Sequence, residues 1–461
     1  MDLNLSQIIE IVHGELIRGY INSETIKEIS TDTRTIKDNS LFIPIKGENF
    51  DGHDFINKAF ENGAKVSLCS YDYLDNIKNI NKPIIAVKNT LKAYQNLANF
   101  KRKILNPIVV GITGSSGKTS TKELLFVLLN KFKNVLKNEA NFNNEIGVPK
   151  TLLELQPEHE IAIIEMAMRG PGQIKDLALI SEPNIGIITN VGRAHLGELG
   201  SEQAILNAKW ELGEYINSVN GYMILNTDNK NLIKKSNIFP KDKIILTSIY
   251  KDKLARIVLE SSKVENNKQY FTYIDRFTGI KGKVVQSLLG EHQINNALLA
   301  IAVSFVLGIK LPENLDLSFE NLFGREEIIE KNNIIIVNDA YNANPDSMKA
   351  SLKSFSNNYK GRKVVVLGEM KELGDESYYL HYEVGEFCTS LPIDLICVVG
   401  ENAIGIRDGA KGVKDKVKFF YNNKEAIINL EKMLKKGDIV LFKGSRGARL
   451  EEIFQNIFIN S

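Results

Sequence analysis

The chain has 461 residues, of which 43% are hydrophobic and 25% charged, and its formal net charge is +2. This composition is typical of a globular protein of about three domains, and it argues against a disordered chain or a bulk nucleic-acid binder. Three scattered cysteines suit neither a disulfide framework nor a thiolate metal site. No apolar run is long enough to predict a membrane-spanning helix. We therefore expect a cytoplasmic multidomain protein without membrane insertion.

The first hundred residues predict a small mixed α/β domain. Strand-like segments occur at 40–45 and 83–87, and helical patterns at 55–61 and 91–105. Pro107 then marks a change of pattern, because a proline seldom continues a helix. We place the first domain at 1–105.

Two series of short apolar runs follow. The first lies at 108–112, 161–164, 185–188 and 222–225, with a strongly helical stretch at 294–307. Near-continuous apolar strands between helices predict a parallel sheet buried on both faces. The second series occupies 334–337, 363–367, 395–399 and 438–442, and it predicts a separate Rossmann-like doubly wound domain. The fold class is therefore α/β, with further domains at 106–318 and 319–461.

A glycine-rich loop follows the run at 108–112. It reads Thr113-Gly-Ser-Ser-Gly-Lys-Thr119, and a helical pattern begins at Ser120. Glycines let backbone N–H groups close around phosphate oxygens, and the helix N-terminus favours negative charge. Lys118 supplies a point charge and Thr119 a hydroxyl for Mg²⁺. The alternative is a helix cap that binds no nucleotide.

Polar side chains follow two of the predicted strands. Glu165 comes directly after the strand at 161–164, and the strand at 185–188 leads to His195. In open α/β sheets, ligands bind beyond the carboxyl ends of the strands. A hydroxyl, a carboxylate and an imidazole suit Mg²⁺ or Mn²⁺, so Thr119, Glu165 and His195 are candidate ligands. A lone histidine is more often a structural hydrogen-bonding residue.

Three other polar groups have more than one interpretation. The asparagine-rich segment 138–144 consists either of turn formers or of amides that contact a polar substrate. The segment 443–449 carries Lys, Ser and Arg, which form either an anion site or a basic helix-capping turn. Lys209 lies on a predicted helix, and the residues alone give it no role beyond an exposed surface lysine.

Taken together, these segments resemble the Mur ligases, the ATP-dependent amide-bond ligases of peptidoglycan synthesis, over nearly the whole chain. The segments that carry the resemblance are 30–34, 113–119, 141–149, 164–166, 194–195, 208–209, 339–345 and 443–446. The run Asp339-Ala-Tyr-Asn-Ala-Asn-Pro345 is most similar to the members that join D-alanyl-D-alanine to UDP-N-acetylmuramoyl-tripeptide. Members that add the third peptide residue typically carry a different run there.

The resemblance implies an N-terminal UDP-sugar-binding domain, a central ATPase domain and a C-terminal domain that closes over both. It implies two Mg²⁺ sites and a CO₂-derived carbamate on Lys209, with an acyl phosphate as the intermediate. Catalytic roles would fall to Lys118, Glu165, His195 and Lys209, and metal ligation to Thr119, Glu165, His195 and the Lys209 carbamate. ATP would contact Gly114, Ser115, Ser116, Gly117, Lys118, Thr119, Ser120, His292, Asn296, Arg325, Asp339 and Tyr341. The peptide substrates would contact Ser30, Asp32, Arg34, Asn141, Asn143, Asn144, Asn342, Asn344, Lys443, Ser445 and Arg446.

Two alternatives to this activity follow from the same residues. The first is another amide ligase of similar fold, which adds the third peptide residue or extends folate with glutamate. The second is a non-catalytic nucleotide-binding module. The expected partners are UDP-N-acetylmuramoyl-tripeptide and D-alanyl-D-alanine, without nucleic acid, and we expect a monomer.

Overall fold

The computed structural model describes residues 2–19, 25–139, 141–320 and 323–459. The chain divides into two compact units. Unit 1 comprises Met1–Gly111, Lys133–Met166 and Lys175–Asn184, and unit 2 comprises Ile112–Phe132, Ala167–Ile174 and Ile185–Ser461.

The secondary structure alternates between strands and helices along most of the chain. The strands are β1 Leu3–Asn4, β2 Glu15–Arg18, β3 Thr25–Ile26, β4 Glu28–Ser30, β5 Ser40–Phe42, β6 Ala64–Ser70, β7 Ile84–Val87, β8 Ile108–Thr113, β9 Val135–Lys137, β10 Ile161–Glu165, β11 Ile185–Ile188, β12 Tyr222–Asn226, β13 Ile244–Ser248, β14 Ile257–Glu265, β15 Lys268–Asp275, β16 Lys281–Gln286, β17 Asn314–Asp316, β18 Glu327–Lys331, β19 Ile334–Asp339, β20 Lys363–Leu367, β21 Leu395–Val399, β22 Val417–Phe420 and β23 Ile439–Lys443. The α-helices are α1 Leu5–Val12, α2 Ile56–Glu61, α3 Thr90–Leu105, α4 Lys118–Leu129, α5 Gly147–Leu153, α6 Gln173–Ser181, α7 Leu196–Leu199, α8 Glu202–Ser218, α9 Lys230–Ser236, α10 Glu291–Val306, α11 Pro345–Asn358, α12 Ser377–Thr389, α13 Ile404–Gly409, α14 Asn423–Met433 and α15 Glu451–Phe454. Short 3-10 helices occur at Thr33–Thr35, Gly52–Phe55, Tyr71–Ile77, Lys241–Lys243, Gly374–Glu376, Glu401–Ala403, Ala410–Lys416 and Arg446–Ala448, and a π-helical turn at Gln455–Ile459.

Unit 1 contains a five-stranded sheet in the order β2-β7-β6-β5-β4. Its strands pair in parallel except β2, which is antiparallel to β7. All four residues of β7 are buried, which explains its continuous apolar sequence. Helix α3 begins where the Asn89 side chain accepts a hydrogen bond from Lys92 N, and it ends at Asn106 in the left-handed conformation.

Unit 2 contains strands β11 to β17, which neighbour one another in chain order. The strands from β11 to β14 pair in parallel, whereas β14, β15 and β16 pair antiparallel. Continuous apolar runs do not mark this antiparallel part: β15 and β16 alternate between buried and more exposed residues, and only the first two residues of β14 are buried. Helix α10 packs against α4.

A second sheet of unit 2 has the order β18-β19-β23-β20-β21-β22, and only β18 is antiparallel to its neighbour. The buried faces of these strands pack with α14, α15 and the C-terminal residues in one apolar core. This arrangement confirms the predicted α/β class with mostly parallel sheets.

Most of the predicted elements are present, with shifted ends. The strands predicted at 185–188, 363–367 and 395–399 have the observed bounds. The strand predicted at 40–45 ends at Phe42, since Pro44 carries no N–H for a ladder. Among the residues that the structure describes, no helix combines the length and the apolar character that a membrane span requires. The domain boundaries near 105 and 318 stay predictions.

Candidate functional site

The glycine-rich loop joins β8 to α4 in a conformation that requires its glycines. Gly114 has φ 151° and Gly117, at the N-cap of α4, has φ 77°. A Cβ atom on Gly114 would lie 1.9 Å from Thr189 Oγ1, and one on Gly117 would lie 2.6 Å from Asn296 Oδ1. A side chain at either position would therefore disrupt the loop.

Residues that follow β11 hold this loop by hydrogen bonds. The N–H groups of Ser115 and Ser116 both donate to Asn190, to its carbonyl and its side-chain oxygen respectively, each at 3.0 Å. Gly192 N donates to Ser115 Oγ at 2.9 Å, and the Asn190 side chain donates to Ser116 Oγ at 2.6 Å. Lys118 Nζ, on the first turn of α4, donates to Gly114 O at 2.8 Å. These hydrogen bonds fix the backbone of the loop.

Lys209 lies on α8 and is only 1% exposed, so the default interpretation of an exposed helical lysine is wrong. Burial, and to a lesser extent the positive charge of Lys118, lowers the pKa of Lys209 well below its ordinary value of 10.5. Burial disfavours the ammonium form and favours the neutral amine. A neutral amine is the form that reacts with CO₂.

His195 lies in unit 2, at the N-cap of α7, with φ 65°. Its Nδ1 atom is 2.7 Å from Glu372 Oε2 and 3.5 Å from Glu198 Oε2. The imidazole, followed by the charges of Arg169 and Lys118, lowers the pKa of Glu372. Sequence reasoning missed Glu372, because no metal-ligand spacing connects it to His195.

The start of α11 contacts the loop region within unit 2. Asn344 caps this helix by accepting a hydrogen bond from Ser347 N, and its amide donates to Ser115 O at 3.4 Å. Arg193 N donates to Asp346 Oδ2 at 2.9 Å. The structure therefore brings Asn344, one of the predicted substrate residues, to the loop.

The first turn of α10 carries His292 and the next turn carries Asn296, two of the predicted ATP contacts. His292 Nε2 lies 3.1 Å from Glu326 Oε1, which also accepts a hydrogen bond from Gln293 at 3.3 Å. The Asn296 amide donates to Gln293 Oε1 at 2.9 Å. Because Asn296 also lies beside Gly117, this turn is next to the glycine-rich loop.

Two arginines lie against Tyr341. The Arg325 guanidinium is 4.2 Å from the centre of the Tyr341 ring, and the Arg446 guanidinium is 6.0 Å from it. Arg446 also pairs with Glu451 at 2.9 Å. These planar cations and the ring form a surface that suits a flat or anionic ligand.

Lys443 ends β23 and is buried against Asp339, which ends the neighbouring strand β19. Lys443 Nζ lies 2.7 Å from Asp339 Oδ2 and donates to Asn342 O at 3.1 Å. Ser445 Oγ accepts a hydrogen bond from Lys371 N at 2.9 Å. These polar groups already have partners within the protein. The contacts therefore do not test the substrate roles of Lys443 and Ser445, which stay predictions.

In unit 1, Glu165 ends β10 and is 2% exposed. Asn143 donates to its Oε1 at 2.8 Å, and the Asn138 side chain donates to its backbone oxygen at 3.0 Å. Asn144 accepts a hydrogen bond from Gly147 N at 2.9 Å, whereas the Asn141 carbonyl accepts one from Asn143 N at 2.8 Å. The asparagine-rich segment therefore both forms a turn and holds the carboxylate.

Ser30, Asp32 and Arg34 form an exposed turn in unit 1. Ser30 Oγ donates to Asp32 O at 2.9 Å, and Arg34 pairs with Asp32 at 2.6 Å. Hydrogen bonds from Arg34 lower the pKa of Asp32 to about 2. The Arg34 side chain is 87% exposed, which leaves its guanidinium open to solvent.

The donor set fits a hard divalent cation. Within unit 2, the candidate donors are the Thr119 hydroxyl on the first turn of α4, the His195 imidazole and the buried Lys209 amine. Mg²⁺ prefers oxygen ligands, and carbamylation would give Lys209 two of them. Among the described residues, His195, Glu198 and Glu372 also place potential ligand atoms within 4.8 Å of one another.

The fold and the loop define an α/β protein of the phosphate-loop class. Three family models match the chain: the Mur ligase family catalytic domain at 25–102, the Mur ligase middle domain at 112–304 and the Mur ligase glutamate ligase domain at 324–446. The chain belongs to the Mur ligase family, which confirms the resemblance seen in its sequence.

Relatives with similarity over nearly the whole chain support this membership. The chain is 35% identical to the UDP-N-acetylmuramoyl-tripeptide--D-alanyl-D-alanine ligase of Bacillus subtilis over 98% of both chains. The MurF structure from Acinetobacter baumannii aligns with a TM-score of 0.89 at 29% identity, over 99% of each chain. MurF from Thermotoga maritima, solved with ADP, aligns with a TM-score of 0.83 at 28% identity, over 94% of this chain and 97% of that one.

Proposed function

We propose that this Mur ligase uses ATP to join D-alanyl-D-alanine to UDP-N-acetylmuramoyl-tripeptide, giving the pentapeptide precursor, ADP and phosphate. The observation that carries the proposal is similarity over nearly the full length to ligases named for this reaction, at 35% identity for the Bacillus subtilis enzyme. The glycine-rich loop supports the ATP part, and ADP is bound to the Thermotoga maritima relative. We propose a cytoplasmic enzyme that acts as a monomer.

The chemistry requires activation of a carboxylate. A peptide carboxylate is a poor electrophile, and transfer of the γ-phosphoryl group of ATP converts it into an acyl phosphate with a good leaving group. The amine of D-alanyl-D-alanine then attacks the acyl carbon and phosphate departs. Lys118, at the start of α4, would neutralise charge on the phosphoryl group during transfer. Glu165 would orient the attacking amine or accept its proton.

We propose that Thr119, Glu165, His195 and a carbamate on Lys209 hold two Mg²⁺ ions. When bound, Mg²⁺ supplies charge neutralisation at the phosphate oxygens. The protein's contribution is a neutral, buried lysine amine, a hydroxyl on the first helical turn and an imidazole whose Nδ1 lies beside a carboxylate. Groups held in position by the fold would reduce the reorganisation that the reaction requires.

The remaining site residues fall into two groups in this proposal. The loop, the start of α10, the Arg325–Tyr341 pair and Asp339 on β19 would bind ATP. The peptide substrates would contact Ser30, Asp32, Arg34, Asn141, Asn143, Asn144, Asn342, Asn344, Lys443, Ser445 and Arg446. We propose domains at 1–105, 106–318 and 319–461 for the UDP-sugar, ATP and C-terminal functions.

The test is phosphate release from ATP with UDP-N-acetylmuramoyl-tripeptide, with and without D-alanyl-D-alanine, followed by mass spectrometry of the product. We expect release that requires both substrates and a product of pentapeptide mass. The Lys118→Met variant should release phosphate at least a hundredfold more slowly. Release with a dipeptide precursor and a single amino acid instead would assign the chain to the preceding ligase step. Slow hydrolysis that is indifferent to any UDP-sugar would favour a non-catalytic nucleotide-binding module.

A further inference from the structure

Two segments of unit 2 approach each other backbone to backbone, at Gly197 in α7 and at Gly374. Gly197 N donates a hydrogen bond to Glu372 O at 3.0 Å. A Cβ atom on Gly197 would lie 2.3 Å from Gly374 N, and one on Gly374 would lie 2.7 Å from Gly197 Cα. Since neither position accommodates a side chain, the two glycines allow the segments to lie in direct contact.

The residues beside these glycines have an unusual backbone conformation. His195 has φ 65° and Glu372 has φ 64°, both in the left-handed region that costs energy for residues other than glycine. Such conformations persist where the surrounding structure enforces them, and they cluster at functional sites. Here they accompany a specific contact, because His195 Nδ1 lies 2.7 Å from Glu372 Oε2.

The contact determines which ring nitrogen of His195 carries the proton. Two unprotonated acceptors at 2.7 Å would repel each other, so the proton of the neutral ring belongs on Nδ1. The Nδ1–H group makes no hydrogen bond of good angle, so the contact acts through charge and distance. Nε2 then keeps its lone pair and can accept a proton or bind a metal ion.

Fold stability does not explain the pair. The Glu372 side chain is 41% exposed, and an ion pair open to solvent contributes little to the free energy of unfolding. The left-handed backbone at both residues adds a cost. A strained pair with little stabilising value is more consistent with a function in the site.

We propose that Glu372 is the positioning residue of His195: it holds the imidazole in the Nδ1–H form and directs Nε2 toward the phosphoryl-transfer site. The inference rests on the proposed function, in which His195 helps to hold Mg²⁺. A carboxylate behind a metal-binding histidine fixes its tautomer and orientation, and loss of such a partner typically costs ten- to a hundredfold in metal affinity or activity.

The direct test is ¹⁵N nuclear magnetic resonance of the histidine rings in the metal-free, full-length protein at a pH where the ring is neutral. The chain has six histidines, and the spectrum of His195→Gln identifies the resonances of His195. We expect the Nδ1–H tautomer in the wild type and a shift toward Nε2–H in Glu372→Gln. An unchanged tautomer in Glu372→Gln would overturn the proposal.

Kinetics give the second test. In Glu372→Gln, we expect kcat to fall about ten- to a hundredfold and the Mg²⁺ concentration for half-maximal rate to rise, while KM for D-alanyl-D-alanine changes little. Glu372→Asp retains the charge and should recover part of kcat. The control is Glu376→Gln, which removes an exposed carboxylate from the same segment and should behave as the wild type. Equal losses in Glu372→Gln and Glu376→Gln would contradict a specific role.

The two tests separate this proposal from the proposed function. The tautomer measurement needs neither substrate nor metal, so it reports on the Glu372–His195 pair alone. A tautomer shift in a protein that ligates no tested substrate would retain the positioning role and refute the proposed reaction. Normal ligation with an unchanged tautomer would refute the positioning role and retain the proposed reaction.

Discussion

Two buried lysines in unit 2 differ in what surrounds them. Lys443, at the end of β23, is 4% exposed and has a carboxylate 2.7 Å away at Asp339. Lys209, on α8, is 1% exposed, and the charge acting on it is the positive charge of Lys118. Lys443 therefore lies beside an opposite charge, whereas burial and the charge of Lys118 push Lys209 toward the neutral, reactive amine. The two lysines are similarly buried, and the sign of the charge beside each of them is what differs.

Replacement of Lys209 should have the largest effect on activity. In Lys209→Met, we expect kcat to fall on the order of a hundred- to a thousandfold, because the anionic group that the carbamate supplies is lost. The free energy of unfolding should be unchanged or higher, since a neutral buried amine is replaced by an apolar group of similar size. Steady-state kinetics and thermal unfolding of the same preparation check both. Nearly normal kcat would show that Lys209 is not part of the site.

Replacement of Lys443 should affect stability most. Lys443→Met leaves the Asp339 carboxylate without its buried partner, which costs about 3–5 kcal/mol. Urea unfolding measures this loss, and the double variant Asp339→Asn/Lys443→Met should recover much of it. If Lys443→Met has the same free energy of unfolding as the wild type, the ion pair does not stabilise the fold. That result would favour a direct contact of Lys443 with the substrate.

Carbon dioxide should distinguish the two lysines chemically. We expect ligase activity to fall several-fold in CO₂-depleted buffer and to return with bicarbonate, because a neutral amine forms a carbamate and an ammonium does not. With ¹³C-labelled bicarbonate, a carbamate resonance should appear in the wild type and in Lys443→Met. Its presence in Lys209→Met would place the modification on another residue.

Replacement of a residue in the exposed Asp32–Arg34 pair should have the smallest effect on stability. Unlike the two buried lysines, this pair is open to solvent. Hydrogen bonds from Arg34 lower the pKa of Asp32 from 3.8 to about 2, so any stability from this carboxylate is present above pH 3.8 and is lost as the pH falls toward 2. In Arg34→Gln, the pKa of Asp32 should return toward 3.8, as measured by ¹³C resonance titration. Lys150→Gln removes a lesser influence and should shift it less.

The sequence was sufficient for the features that local physics determines. Short apolar runs predicted strands such as β11 and β20, and the glycine-rich segment predicted the strand, loop and helix around Lys118. The antiparallel strands β14 to β16 were missed because their alternating residues lack that signal. The partners of buried charges could not be predicted either, since Asp339 and Lys443 are 104 residues apart and meet only through strand pairing. The contact of Glu372 with His195 could not be predicted for the same reason, because the two residues are far apart in the sequence.

The hydrogen bonds that join the glycine-rich loop to Asn190 and Gly192 have a kinetic consequence. A loop that the protein's own hydrogen bonds hold in place imposes little ordering entropy on a nucleotide that binds to it. We therefore expect nucleotide association to show a single phase in stopped-flow fluorescence, with a rate proportional to the nucleotide concentration, because no slow rearrangement precedes binding. The residence time of the nucleotide, and not its speed of capture, would then distinguish ATP from ADP.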